Sequence, residues 1–434
     1  MRYFIETLGC PKNHVDSEKL AGLLVSKGYE PTERLDEADL VVANTCAFIE
    51  AAREESVETV LELAERKRDS ARLVVTGCMA ERYGDELAAA LPEVDLVAGF
   101  GQSLIPGPTP TPVTLGTRPT SDFDLLNLPR PRTTAPWAYV KIAEGCDRRC
   151  GFCAIPTFRG DQRSRSTEEI VAEARDLVAG GVHELVLIAQ DLASWGHDRR
   201  RAGRGEPVEA LDDGDLQPLI GLTRALSAEV ERVRLLYLYP SGLTPGLIEA
   251  IVDTGVPYFD LSLQHSSRRL LRGMRRWGDG SRFLERIATI RAMAPEATFR
   301  SSFILGYPGE TEDDQRDLVA FIEAAQLDWA GFFTFSPEEG TVAGGLGDQV
   351  PHELALERLR EVSEIQDAIT ARRRDAMVGR RLRLLVDAPG VARSVHECPE
   401  IDGIVIVDPS IAVGTRFDGE VVASRGTDLE AVPV

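Results

Sequence analysis

Three cysteines stand close together at Cys146, Cys150 and Cys153, with three and then two residues between them. On a helix these thiols would share one face, so a buried stripe of cysteines is one interpretation. Gly145 and the following Pro156 disfavour a regular helix and favour a loop. Structural zinc usually takes four protein ligands, whereas a four-iron cluster on three thiolates leaves one iron open to another ligand. The spacing therefore favours an iron–sulfur cluster over zinc or inert core thiols.

Three more cysteines each follow a predicted strand in the first hundred residues. The predicted strands cover 3–7, 40–43 and 73–76, and the predicted helices cover 17–27, 49–67 and 79–91. Cys10, Cys46 and Cys78 fall just past the strand ends, where a parallel sheet gathers its ligands. Each alone is more typical of a core residue. Their shared position predicts a second three-thiolate cluster.

The composition is that of an ordinary globular protein of 434 residues, 43% of them hydrophobic. No apolar run approaches the length of a membrane span, and the start of the chain lacks a secretory signal, so we expect a cytoplasmic protein with no membrane contact. Seven cysteines in such a chain indicate metal or catalytic use more than disulfides. The net charge of −21 disfavours a nucleic-acid partner and fits a basic protein partner better.

The loop from Cys146 to Cys153, with Phe152 before the last cysteine, resembles the signature of the radical S-adenosylmethionine (SAM) enzymes. The resemblance implies a [4Fe–4S] cluster on these three cysteines. It also implies that SAM chelates the open iron and is split to a 5′-deoxyadenosyl radical. The cofactors would carry the chemistry, and the protein would orient them in a dry pocket.

The segment 8–18 is similar to the amino-terminal domain of the methylthiotransferases, which carry two [4Fe–4S] clusters. Its Cys-Pro-Lys-Asn run at 10–13 resembles the branch that modifies ribosomal protein S-twelve, the RimO family. The tRNA-modifying MiaB family more often shows Cys-Gln-Met-Asn there. We interpret His14 as a loop residue and Asp16 or Ser17 as a helix N-cap, and not as metal ligands.

Strand and helix units continue after residue 137 and predict a partial barrel. The predicted strands cover 137–142, 184–189, 233–239, 258–263, 298–305 and 329–335. The Cys146 loop follows the first of them, where β/α barrels place catalytic groups. Other residues at strand ends are expected to bind SAM together with Phe152, and they are Gln190, Asp191, Gln264 and Gly306.

Three further residues, Glu310, His265 and Cys398, are not assigned as ligands. Glu310 is either a pocket residue or the first-turn acid of a helix starting near residue 311, with equal weight. His265 has no metal partner in the sequence. Cys398 lies in a Pro-Glu-Ile-Asp-Gly context that the family shares and is interpreted as a bystander thiol. No catalytic residue beyond the cluster ligands is assigned.

The sequence thus predicts a multidomain α/β protein. Its parts are a small parallel α/β domain (1–100), a proline-rich linker (101–136), a partial (β/α)6 radical SAM barrel with a helical extension (137–375) and a small antiparallel β-barrel resembling the TRAM domain (376–434). A charged, glycine-punctuated insertion at 199–215 is predicted to be a mobile rim loop. From Arg380 onward, six arginines and nine acids give a net charge of −3, although an RNA-binding barrel should be basic.

The resemblance implies a radical SAM methylthiotransferase that modifies the β-carbon of an aspartate in ribosomal protein S-twelve, either free or in the ribosome. Its cofactors would be two [4Fe–4S] clusters and SAM, and it would need an electron donor. One alternative is methylthiolation of a tRNA adenosine, which the acidic charge makes the weaker reading. The other is a non-catalytic binding module stabilised by zinc.

Overall fold

The computed structural model describes residues 1–105, 125–198 and 212–434. These residues form two compact units. The first contains Met1–Arg132, Glu144–Asp147 and Cys153–Arg165. The second contains Thr133–Ala143, Arg148–Phe152 and Ser166–Val434. Five of the six cysteines predicted to hold clusters therefore belong to the first unit, and Cys150 belongs to the second.

The first unit is built on a parallel sheet of five strands. The strands are β1 (Arg2–Thr7), β2 (Glu30–Pro31), β3 (Leu40–Thr45), β4 (Arg72–Gly77) and β5 (Leu96–Val97). The helices between them are α1 (Pro11–Ser26), α2 (Glu50–Arg66) and α3 (Cys78–Ala90). The strand order is β2-β1-β3-β4-β5. Every residue of the central β3 is buried, because helices cover both faces of a parallel sheet.

Helix α1 begins earlier than the sequence predicted. Pro11 occupies its first turn, where the missing backbone N–H of a proline costs nothing, and Cys10 is the capping residue. His14 is therefore a helical residue and not a loop residue, and the prediction that Asp16 or Ser17 caps the helix is wrong. Asp16 and Ser17 are buried within the helix, where their side chains have other roles.

The chain then continues through the elements of the barrel and its surroundings. The strands are β6 (Trp137–Lys141), β7 (Ala143–Glu144), β8 (Arg163–Ser164), β9 (Glu184–Ile188), β10 (Arg232–Leu235), β11 (Tyr258–Gln264), β12 (Thr298–Leu305) and β13 (Trp329–Thr334). The helices are α4 (Ile155–Arg159), α5 (Thr167–Ala179), α6 (Asp213–Ser227), α7 (Pro245–Asp253), α8 (Arg268–Gly273), α9 (Gly280–Met293), α10 (Glu312–Ala325) and α11 (His352–Asp375).

Six parallel strands of the second unit form the predicted partial barrel. They make two three-stranded sheets, ordered β10-β9-β6 and β11-β12-β13. A single parallel bridge between Leu238 and Leu261 joins the two sheets. Strand β10 ends at Leu235, earlier than predicted, because Tyr237 takes a φ of 62° and donates its backbone N–H to the Asp260 carboxylate at 2.9 Å. The fold class read from the sequence is confirmed.

The last strands of the chain close a small barrel. They are β14 (Arg381–Ala388), β15 (Val391–Arg393), β16 (Val405–Ile406), β17 (Arg416–Arg425) and β18 (Asp428–Pro433). Their order around the barrel is β14-β15-β16-β18-β17. Neighbouring strands pair antiparallel, except that β16 and β18 run parallel. The small size of this barrel lets its own apolar side chains fill the interior.

The segment 394–402, between β15 and β16, lies against the amino-terminal part of the six-stranded barrel. Side chains near the strand starts donate hydrogen bonds to it: Tyr139 to Pro399 O at 3.1 Å, Arg234 to Val395 O at 3.2 Å, Tyr258 to Asp402 Oδ2 at 2.5 Å and Trp329 to His396 O at 3.0 Å. Cys398 is fully buried in this segment, and burial raises the pKa of its thiol. This environment agrees with its reading as a bystander.

Much of the predicted linker at 101–136 and of the predicted rim loop at 199–215 lies outside the described residues, namely 106–124 and 199–211. The domain boundaries drawn from the sequence stay predictions. Within the described residues, no helix combines the length and the apolar character needed to cross a membrane.

Candidate functional site

The first unit brings Cys10, Cys46 and Cys78 to the carboxyl ends of three adjacent strands. Cys10 caps α1 after β1, Cys46 follows β3 directly, and Cys78 is the first residue of α3 after β4. All three are free thiols. They are close enough that a charge on the Cys10 or Cys46 sulfur would raise the pKa of Cys78. The three side chains thus lie near one another at this edge of the sheet.

Two glycines allow this close approach. A Cβ atom on Gly9 would lie 2.9 Å from the Cys46 sulfur, so only glycine lets the Cys10 loop come this near. Gly77 has a φ of 92°, a conformation that side chains rarely adopt. A Cβ atom there would lie 2.3 Å from Asn44 Oδ1 and 2.5 Å from Thr45 O. Gly77 therefore allows the chain to turn from β4 into α3 directly beside the end of β3.

Two buried asparagines fix the loop ends relative to each other. Asn13 Nδ2 donates to Leu8 O at 2.9 Å and to Thr45 O at 3.1 Å. In return, Asn44 Nδ2 donates to Asn13 O at 2.8 Å and to Ser17 Oγ at 2.9 Å. These amides join the start of α1 to the end of β3. They thereby fix the backbones of Cys10 and Cys46 relative to each other. The buried hydroxyl of Ser17 has this role in place of the predicted cap.

The buried environment of these thiols disfavours their negatively charged, deprotonated form. Burial raises the pKa of Cys46. Burial also raises the pKa of Cys78 to about 12, against the opposing effect of the Arg159 guanidinium. Binding as a thiolate therefore needs compensation by positive charge, which iron or zinc would supply.

Arg159, the last residue of α4, reaches this group of thiols within the first unit. Its Nη2 and Nε atoms lie 3.1 Å and 3.3 Å from the Cys78 sulfur. Nη2 also donates to Asn13 Oδ1 at 2.6 Å, and Nη1 donates to Glu144 at 2.8 Å. Neither Arg159 nor Asn13 was predicted as a site residue, although Asn13 stands in the family-like run at 10–13.

The donor set suits an iron–sulfur cluster better than a single metal ion. Among the residues that the structure describes, no three His, Cys, Asp or Glu side chains converge closely enough to hold one ion. A four-iron cluster spreads its ligands, because each thiolate binds a different iron atom. Three neighbouring soft ligands at the ends of three strands fit that requirement. Tetrahedral zinc would need four donors around one centre.

The two units divide the other predicted set of cysteines, which is Cys146, Cys150 and Cys153. In the first unit, the backbone N–H of Cys146 donates to Gly160 O at 3.0 Å. In the second unit, Arg276 Nη1 lies 3.6 Å from the Cys150 sulfur. The next peptide is anchored by the Gly151 N–H, which donates to Met274 O at 2.9 Å. The assignment of Cys146, Cys150 and Cys153 as ligands of one cluster stays a prediction.

The residues expected to bind SAM lie in the second unit around the carboxyl ends of the barrel strands. Phe152 packs against the barrel core, and Gln264 ends β11 with a φ of 72°. Gln190 follows β9. Asp191 accepts hydrogen bonds from Arg148 at 2.5 Å and from Ser194 at 2.6 Å. Their contact with SAM stays a prediction, as does that of Gly306.

Two arginines that the sequence analysis did not single out flank Tyr239 at this end of the barrel. The Arg148 guanidinium lies 3.4 Å from the centre of the Tyr239 ring, and that of Arg276 lies 4.2 Å from it. Such stacking orders both side chains while leaving their charges in place. The Arg148 and Arg276 side chains thereby link the ends of β9 and β10 to Cys150. No local sequence pattern marks Tyr239 as their partner.

Glu310 precedes α10, so the alternative that it is a first-turn helix acid is wrong. Thr311 caps the helix, and the Glu310 carboxylate instead accepts the backbone N–H of Gly306 at 2.7 Å. Arg358 donates to the same carboxylate at 2.9 Å. Glu310 therefore fixes the turn that carries Gly306.

His265 is buried beside this turn. Its Nδ1 accepts the backbone N–H groups of Ser266 and Ser267, both at 2.9 Å, which leaves the proton on Nε2. Burial lowers the pKa of His265 to about 4, and the nearby Asp314 carboxylate opposes this effect. Its Nε2 lies 3.9 Å from Glu310 Oε2. A neutral imidazole with these partners has a structural role.

Three family models match the chain: the uncharacterized protein family UPF0004 over residues 2–99, the radical SAM superfamily over 140–322 and the TRAM domain over 378–434. A protein of Streptomyces coelicolor named ribosomal protein uS12 methylthiotransferase RimO is 39% identical over 99% of this chain and 96% of its own length. The chain belongs to the RimO family. A protein of the same name from Moorella thermoacetica is 42% identical over 95% of this chain and 94% of its own length.

The solved structures support the fold. The radical SAM methyltransferase TsrM from Kitasatospora setae matches with a TM-score of 0.51 and 15% identity, over 95% of this chain and 81% of its own. At that identity the likeness concerns the fold alone. Family membership makes the chain an enzyme of the radical SAM methylthiotransferase class, and the superfamily implies a [4Fe–4S] cluster and SAM. The alternative of a non-catalytic binding module is not favoured.

Proposed function

We propose that this chain adds a methylthio group to the β-carbon of an aspartate in ribosomal protein uS12, the S-twelve protein of the sequence analysis. Family membership supports the reaction class. The observation that carries the proposal is the convergence of Cys10, Cys46 and Cys78 on one edge of the sheet. A methylthiotransferase needs a place for sulfur besides its SAM site, and this soft donor set offers one.

Each set of cysteines has a separate task in this proposal. Cys146, Cys150 and Cys153 hold the [4Fe–4S] cluster that binds SAM, and Cys10, Cys46 and Cys78 hold a second one that presents sulfur. When bound there, SAM supplies a radical strong enough to remove hydrogen from an unactivated C–H bond. The residues that we assign to orienting SAM are Phe152, Gln190, Asp191, Gln264 and Gly306.

Five of the six cysteines belong to one compact unit, which supports their use in one reaction. Glu144, two residues before Cys146, is joined through Arg159 to the sulfur of Cys78. The segment that bears Cys146 is thereby fixed relative to the amino-terminal thiols. This arrangement would keep the Cys146 segment at a constant distance from Cys78.

The charge of the chain supports a basic protein substrate over tRNA. The net charge is −21 for the whole chain, and the last barrel is also acidic. Such a field repels polyphosphate and attracts a basic ribosomal protein. A cytoplasmic location, an electron donor and recognition of uS12 free or in the ribosome complete the proposal.

The experiment compares reconstituted wild-type chain with three cysteine variants under anaerobic conditions. Wild-type protein should be brown with about eight irons per chain and should methylthiolate purified uS12, as read by peptide mass spectrometry. Cys150→Ala should abolish SAM cleavage, whereas Cys46→Ala should cleave SAM without inserting sulfur. Cys398→Ala is the matched control and should do both, because its thiol is buried in the segment 394–402 and belongs to neither set.

Two results would contradict the proposal. Unimpaired methylthiolation by Cys46→Ala would remove the second cluster from the reaction. Modification of a tRNA adenosine, with uS12 left unmodified in the same mixture, would replace the substrate.

A further inference from the structure

Arg159 is enclosed within the first unit, next to the Cys78 sulfur. Its side chain is 3% exposed, and its guanidinium stacks over the Phe100 ring at 4.7 Å from the ring centre. An arginine is expensive to bury unless every face of the guanidinium finds a partner. The groups that contact Arg159 therefore indicate the role of its buried positive charge.

One side of the guanidinium faces a thiol. Nη2 and Nε form a fork over the Cys78 sulfur at 3.1 Å and 3.3 Å. Asn13 supports this geometry, because its Oδ1 accepts from Nη2 at 2.6 Å. Two donors aimed at one sulfur are more than a buried neutral thiol needs. They match a sulfur that carries negative charge, as a cluster ligand does.

The other side of the guanidinium faces two carboxylates. Nη1 donates to both oxygens of Glu144, at 2.8 Å and 3.0 Å, and to Asp16 at 3.2 Å. These contacts hold the planar group so that it cannot rotate away from the sulfur. Asp16 comes from α1 and Glu144 from β7, so the orientation of Arg159 depends on both parts of the unit.

Hydrogen bonds to the sulfurs of an iron–sulfur cluster help to set its reduction potential. A donor or a positive charge at a ligand sulfur stabilises the reduced, more negative state and so raises the potential. Arg159 supplies both effects at Cys78. It also ends the short helix α4, which begins two residues after Cys153.

We propose that Arg159 is a positioning residue that hydrogen-bonds the Cys78 sulfur and raises the reduction potential of the cluster assigned to Cys10, Cys46 and Cys78. This inference rests on the proposed function, since it needs the second cluster. It adds a residue that sets the electronic state of that cluster and that does not bind iron.

The test measures the potential of this cluster in isolation. Full-length chain with alanine at the cysteines of the SAM-binding set should hold about four irons, all on the amino-terminal cysteines. In that background, Arg159→Met should shift the midpoint potential to a more negative value, measured by potentiometric titration with electron paramagnetic resonance. Arg159→Lys keeps the charge but loses the two-donor contact with the Cys78 sulfur. Its midpoint potential should therefore fall between those of the Arg159 protein and Arg159→Met. Arg82→Met is the matched control, because Arg82 stacks on the neighbouring Phe158 and donates to Ala47 O.

A separate set of variants guards against misfolding, since Arg159→Met leaves two buried carboxylates without their arginine. Adding Asp16→Asn and Glu144→Gln removes those charges, and the Asp16→Asn, Glu144→Gln double variant is the reference. The potential of the triple variant should again lie below that of its reference.

The outcomes separate the two proposals. A fully loaded Arg159→Met variant whose potential moves no more than that of Arg82→Met would overturn this inference and leave the proposed function standing. A background protein that holds no iron–sulfur cluster would overturn both, because the amino-terminal cysteines would then not be ligands.

Discussion

The Gly77→Ala substitution tests whether the turn after β4 determines where the Cys78 thiol lies. Gly77 has a φ of 92° and a ψ of −161°, a region that is essentially restricted to glycine. The added methyl group would lie 2.3 Å from Asn44 Oδ1 and 2.5 Å from Thr45 O. Both neighbours belong to the end of β3, so the turn and Cys78 would have to move away from Cys46.

The magnitude follows from two contributions. The backbone conformation costs an alanine roughly 1 to 3 kcal/mol. The overlap with backbone atoms adds roughly 1 to 3 kcal/mol, because a well-packed neighbour can give way only in part. We therefore expect Gly77→Ala to lower the free energy of unfolding by about 4 kcal/mol. Gly28→Ala is the control: its φ is 85° but no atom lies within 4 Å of the new Cβ, so it should cost about 1 kcal/mol.

The assay is urea unfolding of both variants, together with iron analysis after anaerobic reconstitution. Gly77→Ala should lose about half of its iron, since only the amino-terminal cysteines are disturbed, and Gly28→Ala should keep all of it. Equal stability losses in the two variants, with full iron in both, would refute the reasoning, because the steric contact would then have no consequence.

Two further predictions concern buried charges in the second unit. His265 has a pKa of about 4 in the folded chain and about 6.5 when unfolded, so its stabilising effect is present above pH 6.5 and is lost as the pH falls toward 4. His265→Gln should remove roughly 3 kcal/mol of that pH dependence, measured as the difference between the unfolding free energies at pH 7 and pH 4. Parallel curves of unfolding free energy against pH for variant and wild type would contradict this. Glu184 lies against Arg234 at 2.8 Å and Arg393 at 3.1 Å. Glu184→Gln should destabilise the chain by about 3 to 5 kcal/mol in urea unfolding, because the buried Arg234 loses the carboxylate that pairs with it, although Arg393 keeps Asp387. Glu229→Gln, in an exposed pair with Arg175, is its control and should show little change, and equal effects of the two substitutions would argue against a role for burial.

The sequence predicted the sheet and its cysteines because strong local signals marked them. Short β-rich runs before Cys10, Cys46 and Cys78 gave three strands, and the geometry of parallel sheets then placed the thiols on one edge. The start of α1 was predicted too late, since the polar His14 and Asp16 interrupt its apolar pattern. Helix α1 begins with Pro11 directly after Cys10 and lacks the usual polar cap.

Contacts between distant parts of the chain could not be predicted from local sequence patterns. Arg159 is 81 residues from Cys78 and 143 from Asp16, so no periodicity relates them. The same holds for Tyr239 between its two arginines. These partners become visible only when the fold brings the strand ends together.

The segment 394–402 has a consequence for how this protein can change over evolutionary time. Asp402 accepts from the Tyr258 hydroxyl and from Arg300 at 2.8 Å, and Arg393 pairs with Glu184. The final barrel thus shares buried charges with the strands of the larger one. Exchange of that barrel between distant homologues would leave these charged groups without their partners. The two barrels must therefore be inherited together with their matching residues. A chimaera should retain the native segment.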